Sequence, residues 1–174
     1  MDPLLTLIAT ACIVVLLLHA AAAKLIDRAG FRRHLHDYRV PGALADPLSW
    51  ALPVAEAALA IGLVSPARAW VAWVAAAWLV MYALAMAWQL IQGRRLDCGC
   101  GGAPLQVSWW LVARNTVLAA LAAFGGADLG SARALGAADL AVGAAAVLLA
   151  TLLYAAFNQC LRQRPAQPSQ GTLA

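Results

Sequence analysis

Long apolar runs, broken by few charges, restrict what this chain can fold into. A helix needs about 20 mainly apolar residues to cross a bilayer, and about five segments meet or approach that length. They are residues 3–23, 47–64, 67–92, 107–125 and 138–161. In hydrocarbon the backbone must satisfy its own hydrogen bonds, which a helix does within one segment. The chain therefore reads as an all-α integral membrane protein, a bundle of about five transmembrane helices with a four-helix core and a fifth beside it. Composition agrees: 64% of residues are hydrophobic and 11% charged, against about 25% charged in soluble domains. The first run follows Met-Asp-Pro with no preceding Lys or Arg and exceeds the roughly 7 to 15 residues of a signal-peptide core, so it is expected to remain as a membrane helix. The net charge of +4 is spread over short loops, which excludes a basic arm for nucleic acid.

The connections differ in character. The first, "KLIDRAGFRRHLHDYRVPGALAD", is long and charged. In it Phe31, Leu35 and Tyr38 recur at helical spacing while Arg28, Arg32, Arg33 and Arg39 fall elsewhere, which predicts a short amphipathic helix in the membrane interface, ended by Pro41-Gly42. The second connection is only "SP", the third holds the cysteines, and the fourth, "GADLGSARALGA", is small and flexible in composition. Residues 1–162 read as one transmembrane domain and residues 163–174, polar and Pro-containing, as a disordered tail. Abundant alanine suits close helix approach in lipid.

Alternation of the helices puts the first and third connections on one side of the membrane. At about 1.5 Å of rise per residue, Lys24 sits at that edge, His19 about 7 Å inside it, Glu56 near 13 Å, Arg114 near 10 Å, and Gln89 about one turn inside. The polar side chains thus gather beneath the cysteine loop. Simpler readings exist for several of them. Lys24 at a helix end can snorkel to water, His19 can be a hydrogen-bonded core histidine, and Trp109 and Trp110 suit an aromatic belt at the interface, with a face for an aromatic cofactor as the alternative. Glu56 and Arg114 resist such readings, because a charge in the membrane costs at least about 2.5 to 3.5 kcal/mol. They are expected to pair with each other. Asn115, about 100° further round the helix, is expected to hydrogen-bond the site or a neighbouring helix.

The stretch "DCGCGG" places Cys98 and Cys100 one residue apart at a helix start, within a glycine-rich, charged loop. Simple packing as small hydrophobes suits an apolar run better than this setting. Two thiolates can share a soft metal, although a closed zinc site wants four ligands and the nearby sequence holds no second Cys pair or Cys-His pair. Redox exchange is the third reading. A Cys-x-Cys disulfide closes a small ring, and strain makes such a bond readily reduced. Arg94, Arg95 and the following helix N-terminus favour the thiolate, while Asp97 opposes them. The local chemistry favours redox and leaves metal open. Cys12, near mid-membrane, and Cys160, near the cysteine face, differ in depth by more than about 10 Å, too far for a disulfide. Cys12 is expected to pack, with Cys160 a minor candidate for resolving a mixed disulfide.

Taken together, Lys24 after the first helix, "FRRHLHDYRVP", "LPVAEAALAIGL", "DCGCGG" and "ARN" resemble the methylamine utilisation protein MauE family and the wider group of MauE/DoxX-like redox-associated membrane proteins. The resemblance implies an accessory role in maturing the disulfide-rich small (beta) subunit of methylamine dehydrogenase, or another extracytoplasmic client, beside a thioredoxin-like partner, MauD. The residues themselves point to Cys98 and Cys100 as the exchanging pair and to Lys24, Glu56, Arg114, Asn115, His19 and Gln89 as a supporting polar site beneath them. The layout is also distantly similar to vitamin K epoxide reductase homologues, which would imply a quinone cofactor, but those use Cys-x-x-Cys. The expected location is the bacterial inner membrane with the cysteine loop outside the cytoplasm. The charge count points the other way, with Lys24, Arg28, Arg32, Arg33, Arg39, Arg94, Arg95, Arg162 and Arg164 on the cysteine side against Arg68 and Arg133 opposite. Interleaved Asp27, Asp37 and Asp46 weaken that rule here. Soft-metal transport through the same cysteines and a purely structural membrane subunit remain the alternative functions.

Overall fold

The computed structural model describes residues 3–94, 107–126 and 136–163. Among these residues the chain forms six helices: α1 Pro3–Ile26, α2 Arg28–Asp37, α3 Gly42–Leu63, α4 Arg68–Ile91, α5 Trp109–Gly126 and α6 Ala137–Gln163. α1, α3, α4 and residues 137–160 of α6 are each long and apolar enough to cross a membrane. α5 falls outside that set; its 18 residues include Arg114, Asn115 and Thr116. The chain is an all-α membrane protein, with α5 laid along α4 in the most extensive helix contact of the bundle. Both the cysteine stretch and the C-terminal tail from residue 164 lie outside the described residues.

The expected interfacial helix is α2, with Phe31 and Leu35 buried and Arg32 and Arg33 exposed. Its start is set by Asp27, whose Oδ1 accepts the Gly30 N–H at 2.9 Å, satisfying one of the unpaired donors of a helix N-terminus. Its end lies earlier than the expected stop at Pro41-Gly42. Arg39 takes a left-handed conformation at φ 62°, the Arg39 N–H reaches the His36 carbonyl and the Val40 N–H the Leu35 carbonyl. These are the paired bonds of a Schellman cap, and Val40 packs with Leu35 as such caps favour. The reversal frees Pro41 to cap α3. α3 therefore starts at Gly42, five residues before the expected Pro47, and carries Pro47 and Pro53 inside it. Each of these prolines sits in the helix at the loss of one backbone bond.

α1 and α4 form the centre. α3 packs on both, α5 packs on both, and α6 packs on α1. The main core joins Ile13 and Leu17 of α1, Ala60 and Leu63 of α3, Ala72, Ala75, Ala76 and Leu79 of α4, and Ala119 and Ala122 of α5. Small side chains let the backbones approach, replacing the hydrophobic drive that lipid removes. The approach is closest at Gly126, where an added Cβ would stand 2.8 Å from the Ala72 Cβ and 3.0 Å from the Ala69 carbonyl oxygen. By contrast, a Cβ at Gly143 would meet nothing nearer than 3.6 Å. Gly126→Val is therefore expected to lower bundle stability by about 1 to 3 kcal/mol through overpacking. Gly143→Ala should match or exceed wild type, because alanine is the better helix former. Thermal unfolding in detergent micelles checks both; equal loss from the two variants would contradict this packing.

Candidate functional site

Lys24 lies in the last turn of α1 and Glu56 near the middle of α3. They form a buried salt bridge through Glu56 Oε1, with side-chain exposures of 5% and 1%. Tyr82 of α4 donates its hydroxyl to the same oxygen at 2.7 Å, and the Lys24 ammonium lies 5.1 Å from the centroid of the Tyr82 ring and 5.5 Å from that of Phe31. Trp78 holds Tyr82 edge-on at 6.0 Å. Three helices, α1, α3 and α4, thus meet at one carboxylate oxygen, with Phe31 of α2 beside the ammonium. Such an arrangement answers the desolvation of two charges, several kcal/mol per ion, with an opposite charge, a hydrogen bond and two aromatic faces.

Lys24 is buried and paired rather than snorkelling. Two expectations need correction. Glu56 pairs with Lys24 and not with Arg114. The depths of Glu56 and Arg114 were reckoned from one face, but α3 and α5 each pack on α1 and α4 and have no substantial contact with each other, so similar depth does not bring them together. Arg114 turns to α6, where its Nη1 donates to Asn158 Oδ1 at 2.8 Å and its guanidinium covers the Tyr154 ring at 5.4 Å. Finally, Asn115 is buried but bonds back to the Leu111 carbonyl of its own helix at 3.1 Å, as short polar side chains do when no neighbouring acceptor faces them.

A cavity of about 350 Å³ opens beside the pair. It brings together Lys24, Glu56, His19, Arg114 and Asn115 among largely apolar walls. Gln89 does not line it. Buried at the end of α4, it accepts a hydrogen bond from Arg94 Nη1 at 3.0 Å, while Arg94 Nη2 donates to the Asp37 carbonyl at the end of α2 at 3.0 Å. Trp109 and Trp110 are 60% and 57% exposed at the start of α5 and do not line the cavity either. Cys12 is half-buried and Cys160 exposed, both as free thiols. Cys98 and Cys100 lie outside the described residues. Tyr82, Tyr154 and Asn158 are partners that the sequence does not single out, and Arg94 stands out there only as a charge beside the cysteines. The signal for Tyr82 and Asn158 was a hydroxyl and an amide within otherwise apolar helices, where each needs a partner.

The family model described as Methylamine utilisation protein MauE matches residues 1–128. The chain is 39% identical over 176 residues to the methylamine utilization protein MauE of Methylorubrum extorquens, covering 97% of this chain and 94% of that protein. It is 39% identical over 140 residues to the MauE protein of Paracoccus versutus, covering 78% and 75%. To that of Paracoccus denitrificans it is 41% identical over 115 residues, covering 63% and 62%. No solved structure matches.

Removing one partner of a buried pair leaves the other charge unmet, at about 3 to 5 kcal/mol, whereas removing both with apolar groups of similar volume is often neutral. Lys24→Met and Glu56→Leu are each expected to destabilise the bundle by that amount, and the double variant to recover most of it. Unfolding of all four chains in one detergent measures the cycle. Additive losses would show that the two side chains do not form a coupled pair.

Proposed function

The chain belongs to the MauE family of methylamine utilisation proteins, and from that premise we propose that it relays thiol-disulfide equivalents through Cys98 and Cys100 to or from a thioredoxin-like, MauD-like partner. The coarser role is that of an accessory membrane protein of methylamine utilisation. The finer reading adds a client, the disulfide-rich small subunit of methylamine dehydrogenase or another extracytoplasmic protein, and a cysteine loop on the extracytoplasmic side of the inner membrane. In this reading residues 1–162 act as one transmembrane unit.

The supporting observation is where the cysteine segment joins the described fold. At one end Arg94 ties α4 to the last carbonyl of α2. At the other end Val107 is buried with Met86 and Leu111, and Tyr38 and Tyr82 pack against that cluster. Tyr38, Tyr82 and Met86 also line the cavity, so the Val107 anchor packs against residues of its wall. Arg94, next to the segment, contributes positive charge that favours thiolate over thiol.

The exchange itself balances without further reagents. A thiolate of the pair attacks one sulfur of a partner disulfide, forming a mixed disulfide and releasing the partner's other sulfur as thiolate. The second cysteine then attacks the mixed disulfide, closing the Cys98–Cys100 bond and releasing the partner as dithiol. Two electrons have passed to the partner, and the reverse sequence returns them. The short Cys-x-Cys ring favours a labile bond, as relays require.

A chain carrying Cys12→Ser and Cys160→Ser isolates the pair for test. Spheroplasts equilibrated in a series of glutathione redox buffers, then treated with a membrane-impermeant maleimide, should show Cys98 and Cys100 gaining and losing label together at one common potential. Two thiols that stay reduced throughout, in a purified protein that holds a stoichiometric soft metal, would replace the redox reading with metal transport.

A further inference from the structure

The two oxygens of Glu56 are unequally served. Oε1 accepts from both Lys24 and Tyr82, while Oε2 is buried with no hydrogen-bond partner in a side chain 1% exposed. A buried acceptor left unmet is costly, the more so when it is charged. Glu56 lines the cavity of about 350 Å³ described above, a volume at the small end of ligand pockets of about 300 to 1,000 Å³. The walls are mostly apolar carbon with several aromatic rings, among them Phe31, Tyr82 and Tyr154, and two methionines, Met81 and Met86. Met81 is also 43% exposed.

We propose that this cavity binds the ring of a phenol or hydroquinone, with a phenolic O–H donated to Glu56 Oε2. The neighbouring charges narrow the ligand class. A cationic amine would meet the ammonium of Lys24 and the guanidinium of Arg114, both in the lining. A carboxylate or phosphate would meet the Glu56 carboxylate. A neutral donor meets neither objection, and a hydrogen bond to an ionised acceptor is the stronger kind. Aromatic walls suit a flat ring through offset and edge-on contacts and methionine sulfur adapts to it. His19 stands in the same lining as a further polar side chain. The inference rests on Glu56 and the cavity and not on the thiol reading; among the described residues, no cysteine lines this space.

The test uses the full chain with Cys98→Ser and Cys100→Ser in phosphatidylcholine nanodiscs, so that its failure is distinct from failure of the relay. Three probes are titrated by calorimetry: decylhydroquinone, its dimethyl ether, and plain phenol. Saturable binding of decylhydroquinone is expected, with the ether, which has the shape but no O–H, at least about tenfold weaker. Ala85→Phe places a ring into the lining away from the ion pair and should abolish binding; Ala20→Leu is the gentler second variant, and circular dichroism confirms that each stays folded. Tail-independent affinity assigns the site to free phenols and tail-dependent affinity to lipid hydroquinones, and either supports a ring site. An ether that binds as well as the hydroquinone, or folded cavity variants that bind like wild type, would overturn the proposal.

Discussion

A lysine and a glutamate that meet inside the apolar bundle set the terms for everything around them. Neither charge is tolerable alone in lipid, where each costs about 2.5 to 3.5 kcal/mol even by lenient measure. The Lys24–Glu56 contact therefore fixes how α1 and α3 face each other, and Tyr82 extends the same constraint to α4. Alanine-rich contacts between helices are permissive about rotation, because small side chains offer little to distinguish one register from another. A polar cluster is not permissive. Specificity of this kind is the best-attested use of buried polar groups, and here it sets a carboxylate beside a cavity.

The surface elements are held to that centre by a second set of polar links. Asp27 starts α2 directly after α1 ends, and the left-handed turn at Arg39 sends the chain back into α3. Arg28 reaches Ser49 at 3.1 Å and stacks on Trp50, tying α2 to α3. Arg94 ties α4 to α2, and Arg114 ties α5 to α6. α6 is otherwise largely exposed along its apolar length, as a helix facing lipid should be. Among the described residues, Arg28, Arg94 and Arg114 thus serve as clasps between helices.

Much of the fold was legible because lipid imposes a coarse code. Apolar runs of the right length named the helices, and the spacing of Phe31, Leu35 and Tyr38 named α2. Boundaries were less legible: Pro47 looked like a start but lies inside α3, since the cap at Arg39 places the turn five residues earlier. The site was half legible. Glu56 and Arg114 stood out as charges that need partners, and depth along the axis was estimated well enough to group them. Depth does not give the angle around a helix or the order of helices in the bundle, and those two quantities decide partners. Lys24 reads from the sequence either as a snorkelling helix end or as part of the polar site; α1 runs on to Ile26, and the side chain is buried. Tyr82 and Tyr154 were hidden for a different reason, because tyrosine is read as apolar until its hydroxyl is placed.

The central claim is that Glu56 is an ionised carboxylate balanced by Lys24 within the bundle. Infrared difference spectroscopy of wild type against Glu56→Gln in lipid tests it directly. The account predicts that the variant loses the symmetric and antisymmetric carboxylate stretches of one side chain, and that Lys24→Met shifts those bands in an otherwise wild-type chain. Loss of a protonated carboxyl carbonyl band in Glu56→Gln, with no response to Lys24→Met, would show a neutral acid without its cation and would contradict the account.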